Sequence, residues 1–288
     1  MKPTALIFSL CLLLPGLAGA SWWAENDYTT GSNGVKKDSL TVLTHIKGKF
    51  MAGAAASFYR DTGAYKDRVY AYRLPLLYSG TSNILALTPF VYPVAPATNS
   101  GAKGARLYFQ ASLTEPDDES YLRLTAAGAW AGQDARRLDA QGNDLGKKSF
   151  SETALELQVE KSYFGQFFLL GSAATFSKAD LPRNQAPVKP ALDHADMACL
   201  GTFRQITALP EWVVTTQVSR SMKPEFASLL YIGYSKISFR SEPAASSAIF
   251  GLKLEMSAKT TLDFAYNLFK AQSSAYKNYY KILLRTVF

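Results

Sequence analysis

Cysteine and histidine are both scarce in this sequence, with two residues of each among 288. Cys11 lies in an apolar N-terminal stretch, which leaves Cys199 as the single thiol of the remaining chain and excludes an intramolecular disulfide there. The sequence contains no Cys/His zinc spacing, no glycine-rich phosphate loop and no EF-hand motif. We therefore predict neither a metal nor a cofactor.

Long apolar runs are absent after the N-terminus, which argues against a transmembrane helix because such a helix needs about 18 or more consecutive apolar residues. The N-terminus itself has Lys2, an apolar run over residues 5–14, a Pro15-Gly16 break and an Ala18-Gly19-Ala20 cleavage pattern. This order is typical of a secretory signal peptide. We predict a signal peptide over residues 1–20 and an exported protein.

The charge balance is basic, with 31 Lys and Arg against 23 Asp and Glu and a formal net charge of +8. These charges are spread along the chain rather than gathered in a basic helix or an RNA-binding aromatic motif. Together with export, this excludes nucleic acid as the expected partner.

The sequence is rich in short segments that alternate apolar and polar residues with period two, the pattern of β-strands with one apolar face. One example is the segment from Phe250 to Met256, where even positions are apolar while Lys253 and Glu255 are charged. We predict twelve strands, within a range of ten to fourteen, in a single domain over residues 39–288 that follows a polar leader over residues 21–38. Two regions are ambiguous: residues 40–58 form one bent strand or two short ones, and residues 197–218 form one or two.

The last strand shows this pattern and ends on an aromatic residue. Its apolar face is Tyr280, Ile282, Leu284, Thr286 and Phe288, and Lys281 and Arg285 lie on the other face. The segment resembles the terminal strand of Gram-negative outer-membrane β-barrels, which ends in Phe after alternating hydrophobic residues. The resemblance implies an all-β, transmembrane antiparallel up-and-down β-barrel in contact with outer-membrane lipid and lipopolysaccharide. It also implies that Tyr280, Ile282, Leu284 and Phe288 are an assembly signal for the barrel assembly machinery.

If the apolar faces meet lipid, the opposite faces line the lumen. The charged residues expected there are Arg73, Arg106, Arg123, Glu152, Glu156, Lys236, Arg240, Lys253, Glu255, Asp263, Lys281 and Arg285. Basic side chains predominate, and a ring of them in a narrow lumen favours anions. Alternatively, these side chains pair with acidic ones and fill the interior.

We accordingly predict a porin-like channel for small solutes, with anions favoured by the basic lumen. One alternative is a plugged structural or adhesive barrel. Another is a hydrolase embedded in the barrel, for which Asp193, His194 and Asp196 and the acidic pair Asp117-Asp118 are the available groups. A secreted soluble β-sandwich is a further alternative. The sequence favours no particular catalytic residue, and an enzyme is the weaker prediction.

Overall fold

The computed structural model describes residues 22–60, 68–95, 99–114, 120–139, 141, 143–182, 188–223, 226–272 and 274–288. The predicted signal peptide and the Asp117-Asp118 pair therefore lie outside the described residues. The strands are β1 Trp22–Gly31, β2 Val35–Lys47, β3 Phe50–Arg60, β4 Val69–Arg73, β5 Leu76–Ser79, β6 Asn83–Ala95, β7 Ser100–Ser112, β8 Leu122–Leu138, β9 Asp144–Tyr163, β10 Phe167–Ala179, β11 Val188–Lys189, β12 Pro210–Lys223, β13 Phe226–Phe239, β14 Ala245–Ser257, β15 Thr260–Ala271 and β16 Lys277–Val287. Two short 3-10 turns, Ser32–Gly34 and His194–Asp196, complete the elements.

The strands close into one antiparallel barrel, since β16 pairs with β1 as well as with β15. β4 and β5 both pair with β3 on one side and β6 on the other, so they are two parts of one barrel strand interrupted at Leu74-Pro75. β11 is a two-residue strand that pairs only with β8. The described strands thus form a fourteen-stranded barrel, which confirms the all-β fold and lies at the upper limit of the predicted range.

The ambiguous residues 40–58 are two strands, β2 and β3. A turn at Gly48 and Lys49 joins them, and Gly48 has a φ of +57°. Two-residue turns normally exchange the parity of the apolar face, but a register shift between His45 and Lys47 adds one residue on β2 and restores it. The unbroken even-numbered apolar pattern therefore spans a hairpin.

The predicted polar leader contains the first strand, so the domain boundary at residue 39 is wrong. Residues Trp22–Gly31 pair with β2 on one side and with β16 on the other. Their alternation is hard to recognise because Asn26 occupies an outward position between Leu40 and Leu284. Residues 197–203, expected as a strand, are irregular instead.

The apolar faces of the strands point outward. Leu155 and Leu157 on β9 are each 69% exposed, whereas Glu152 and Glu156 on the opposite face are buried. This arrangement is the reverse of a soluble sheet and is the one expected when lipid covers the outside. At the end of the barrel where the described chain begins and ends, which we call the end near the termini, Phe288 stacks on Trp22 with ring centroids 3.9 Å apart.

The connection between β10 and β12 lies at the opposite end and turns into the lumen. We call its residues 188–209 the infolded segment. Leu192, His194 and Met197 in it are at most 1% exposed. They pack against inward side chains of the wall, among them Tyr59, Tyr92, Phe176, Ile237, Phe269 and Tyr279. The half of the lumen farthest from the termini is therefore filled by a packed apolar core.

Candidate functional site

The infolded segment is held to the wall by a buried charge cluster centred on Glu152 of β9, which is 0% exposed. This carboxylate accepts a hydrogen bond from Gln133 Nε2 at 2.8 Å and lies 3.0 Å from Lys178 Nζ. His194 Nε2 is 2.9 Å from the same carboxylate, and His194 Nδ1 is 2.8 Å from the carbonyl oxygen of Ile206. Both ring nitrogens of the imidazole are therefore within hydrogen-bond distance of an oxygen atom. The cluster joins β8, β9 and β10 to the segment.

A second cluster fixes the segment to the other side of the wall. Arg73 Nε is 2.8 Å from Asp196 Oδ1, and Tyr92 donates to the other oxygen of that carboxylate at 2.6 Å. Arg73 also donates to Ser57 and Tyr59 at 2.6 and 2.7 Å, so its guanidinium is fully oriented by β3 and the segment. Nearby, Lys37 Nζ of β2 lies 3.6 Å from Asp193.

The end of the segment is attached to strands β13 to β15. Asn267 accepts hydrogen bonds from the Thr202 hydroxyl at 3.0 Å and from the Phe203 backbone N–H at 3.1 Å. Gly201 has a φ of +56°, and a Cβ built on it would lie 1.8 Å from Ser235 Oγ, so only glycine fits between the segment and β13. The infolded segment therefore crosses the lumen and contacts opposite walls.

The other half of the lumen, near the chain termini, is lined by charged pairs. Arg106 is 2.6 Å from Glu156, Arg123 is 3.8 Å from Glu160, and Lys281 is 3.4 Å from Asp263. Arg285 is 2.5 Å from Glu25, and its side chain is 46% exposed. Tyr231 reaches across Gly251 to donate to Asp263 at 2.8 Å. Basic groups here have acidic neighbours, which reduces the net positive field expected from the Arg and Lys residues alone.

The structure places the predicted lumen residues on the inner face with two exceptions. Arg73, Arg106, Arg123, Glu152, Glu156, Lys253, Glu255, Asp263, Lys281 and Arg285 share the inward parity of their strands. Arg240 follows the end of β13, where its Nη1 donates to the carbonyl oxygen of Leu181 at 2.6 Å. The placement of Lys236 in the lumen is wrong, because it is exposed and shares the outward face with Leu230, Ile232 and Tyr234.

Several further charged residues have lumen contacts that the sequence does not predict. Lys37 and Glu25 fall within the predicted leader, and Asp193 and Asp196 are predicted only as groups for a hydrolase. The sequence signal for a buried site is the Asp193-His194-Ala195-Asp196 stretch. Its ionisable residues stand directly beside the apolar Leu192 and Met197, and ionisable side chains buried with apolar neighbours need charged or hydrogen-bonding partners.

Cys199 lies on the infolded segment and is exposed, and its backbone N–H donates to Glu156 at 3.2 Å. The surrounding wall and the nearby Glu156 carboxylate raise the pKa of the Cys199 thiol above its ordinary value, with desolvation the larger cause. The thiol is therefore accessible but mostly protonated at neutral pH.

No protein-family model and no curated protein matches this chain. Among solved structures, OmpT of Vibrio cholerae, an outer-membrane protein, superimposes with a TM-score of 0.50 at 9% identity, over 93% of this chain and 97% of that one. This chain has the fold of an outer-membrane β-barrel protein. OccAB2 of Acinetobacter baumannii gives a TM-score of 0.49 at 8% identity over 93% and 97% of the two chains. A structure described as the NanC porin gives 0.45 at 10% identity over 92% and 98%. At such identities the likeness concerns the fold.

Within the described residues, no helix is long and apolar enough to cross a membrane. The same part of the chain contains no group of three His, Cys, Asp or Glu side chains able to hold a metal ion.

Proposed function

We propose that this protein is an outer-membrane channel for small polar solutes, closed in the present conformation by the infolded segment. The observation that carries the proposal is the unequal filling of the lumen. One half is packed with apolar side chains, whereas the half near the termini keeps partly exposed charged groups such as Arg123 and Arg285. A barrel with a purely structural role has no need of a hydrated, charged interior, whereas a pore requires one.

Besides its apolar packing, the segment is held by polar contacts that water or a solute can replace. Arg73–Asp196, Lys37–Asp193 and His194–Glu152 are ion pairs or charge-assisted hydrogen bonds, and no disulfide is possible with one described cysteine. Opening would exchange these contacts for hydration while the fourteen-stranded wall stays paired. The segment is thus suited to act as a movable constriction.

The paired lumen charges favour passage of small hydrophilic solutes of either sign over strict anion selectivity. Each basic group in the described pairs faces a carboxylate within 4 Å, so the field along the path alternates in sign. An anion preference then depends on whichever basic groups lose their partners when the channel opens, and Arg73 and Lys37 are the foremost of these.

A permanently plugged structural barrel is the second candidate, favoured by the complete burial of Leu192 and Met197 inside the wall. The hydrolase has no such support: His194 is 0% exposed and both of its ring nitrogens are engaged. A substrate could not reach this ring without displacement of the segment.

Export and assembly complete the proposal. The predicted signal peptide would be removed, and the outward face of β16, with Tyr280, Ile282, Leu284 and Phe288, would be recognised by the barrel assembly machinery during insertion into the outer membrane. These four side chains are 43–53% exposed on the lipid side, where they are available before the barrel closes. Cofractionation with outer membranes and heat-modifiable migration on gels test this part.

Conductance in planar bilayers tests the channel itself. Wild-type protein is compared with a variant in which residues 188–209 are replaced by a short Gly/Ser linker, both checked for heat-modifiable migration. We expect rare or small conductance steps for wild type and frequent larger steps for the variant. A folded variant that never conducts would leave the structural barrel as the better interpretation. Equal conductance of the two proteins would show that the segment does not close the lumen.

A further inference from the structure

Three basic side chains form a lateral row on the outer face of the barrel. Lys36 of β2 is the cross-strand partner of Arg60 of β3. Arg68 directly precedes Val69, which pairs with Tyr59, so Arg68 continues the row beside Arg60. All three are exposed, whereas their neighbours Val35, Tyr59 and Val69 are buried on the lumen side. The row therefore faces away from the lumen.

Like charges in directly opposed cross-strand positions repel one another. Side chains so paired are about 5 Å apart at their Cβ atoms, close enough for one anionic group to touch two of them. Within the described residues, no carboxylate lies within salt-bridge distance of Lys36, Arg60 or Arg68. In the described part of β2, Asp38 is the acidic residue on this face, two positions along from Lys36, and it accepts a hydrogen bond from Asn26 at 2.9 Å. Among the described residues, the row therefore has no carboxylate partner within 4 Å.

The depth of the row matches a lipid headgroup. The next outward residues toward the chain termini are Phe58 and Tyr70, which pair with each other, and Arg68 lies over the Phe58 ring at 5.9 Å. Aromatic rings at this level mark the boundary between hydrocarbon and headgroups. Trp22 and Phe288, the first and last described residues, lie at the other end of the barrel, which in outer-membrane barrels is the periplasmic one, so the row lies in the outer leaflet.

We propose that Lys36, Arg60 and Arg68 bind the phosphate groups of an anionic outer-leaflet glycolipid. Phosphate oxygens accept the forked guanidinium hydrogen bonds of two arginines, the lysine adds a third positive charge, and the acyl chains lie on the outward apolar surface below Phe58 and Tyr70. The site is on the outside of the wall, so the proposal does not depend on whether the lumen conducts.

The test measures binding of bis-phosphorylated lipid A to detergent-purified full-length protein by native mass spectrometry. A K36Q/R60Q/R68Q variant is compared with wild type and with a matched control, K47Q/K49Q/K259Q, which removes three exposed charges at the periplasmic end. Because lipid-facing basic groups each contribute substantially at an anionic surface, we expect about 100-fold weaker binding for the first variant and little change for the control. Heat-modifiable migration verifies that each variant is folded.

Two further arms identify the ligand chemistry. Dephosphorylated lipid A should bind to wild type as weakly as the bis-phosphorylated form binds to the K36Q/R60Q/R68Q variant. Inorganic phosphate should compete only at much higher concentration, because it lacks acyl chains. Equal weakening in both triple variants, equal binding of both lipids, or equally strong binding of inorganic phosphate would each overturn the proposal.

Discussion

Removal of the Glu152 charge should release the infolded segment while leaving the barrel wall paired. The Glu152→Gln substitution keeps the shape and some hydrogen-bonding capacity of the side chain but takes away the charge that faces the buried Lys178 ammonium group and His194 Nε2. Lys178 is 2% and His194 0% exposed at the side chain, so neither can recover its hydration where it stands. The substituted protein relieves this by moving the segment, which carries His194, away from the wall.

The free-energy cost of Glu152→Gln follows from the burial of Glu152, Lys178 and His194. Breaking a buried ion pair by neutralising one partner destabilises by about 3–5 kcal/mol. At about 1.4 kcal/mol per tenfold, the opening equilibrium of the segment should rise roughly 10²- to 4 × 10³-fold. The matched control is Glu160→Gln, since Glu160 is 3.8 Å from a partly exposed Arg123 and such pairs contribute below about 1 kcal/mol. A Glu152→Gln/Lys178→Met double variant should recover part of the loss, because the unpaired ammonium group is gone.

Hydrogen exchange of the segment's backbone amides is the appropriate assay. The protected N–H groups include those of His194, which donates to Ile206 at 3.0 Å, and Met197, which donates to His194 at 3.0 Å. Their exchange should accelerate by the factor given above in the Glu152→Gln variant and stay near wild type in the Glu160→Gln variant, while amides in β14 and β15 stay protected in both. Unchanged exchange at His194 and Met197 in Glu152→Gln would refute the idea that this cluster holds the segment. Equal acceleration throughout the barrel would show that the cluster supports the wall instead.

Two other predictions can be tested on the same protein. Alkylation of Cys199 by a maleimide should be slower at pH 7 than alkylation of a free cysteine, because the thiolate is the reactive form and the pKa of this thiol is raised. The alkylation rate should increase as the pH approaches and passes that pKa. A rate that has already reached its plateau at pH 7 would contradict the raised pKa. Phe288→Ala removes the ring that stacks on Trp22 and should lower the free energy of unfolding by about 1 kcal/mol more than the loss of buried area accounts for, whereas Phe288→Tyr should be nearly neutral. Urea unfolding in micelles measures both changes. If a double-mutant cycle with Trp22→Ala gives no coupling energy, a specific contact between the two rings is excluded.

The wall of the barrel was largely predictable because its periodicity is local. Each strand presents lipid on one side and the lumen on the other, so Phe250 and Lys253 of β14 can be assigned to faces from their parity alone. The rule fails in β13, where Tyr231 and Ile237 lie on one face and Ile232 and Tyr234 on the other, so that both faces are apolar. Parity alone therefore does not decide the face of Lys236.

The infolded segment could not be derived in this way. Its residues show no period, and Pro190 and Pro210 at its ends are equally typical of an exposed connection. What places it inside is a set of contacts with residues far away in sequence, such as Arg73 with Asp196, and a single chain carries no signature of such pairs. β1 was missed for a related reason. Its polar inward residues, Glu25 and Asp27, are compatible with a strand only once β16 and β2 are known to flank it.

The closure between the first and last strands has a consequence for the topology of the chain. Phe288 donates its backbone N–H to the Trp22 carbonyl oxygen at 2.8 Å, so the two ends of the described chain are neighbours at one mouth of the barrel. A linker of a few residues could join them, and new ends could be opened at the turn of Gly48 and Lys49, where an added Cβ at Gly48 meets no atom within 4 Å. A circular permutant of this kind would place β3 first and β2 last. The ring of strands has no intrinsic beginning, and the order of synthesis is separable from the order of pairing.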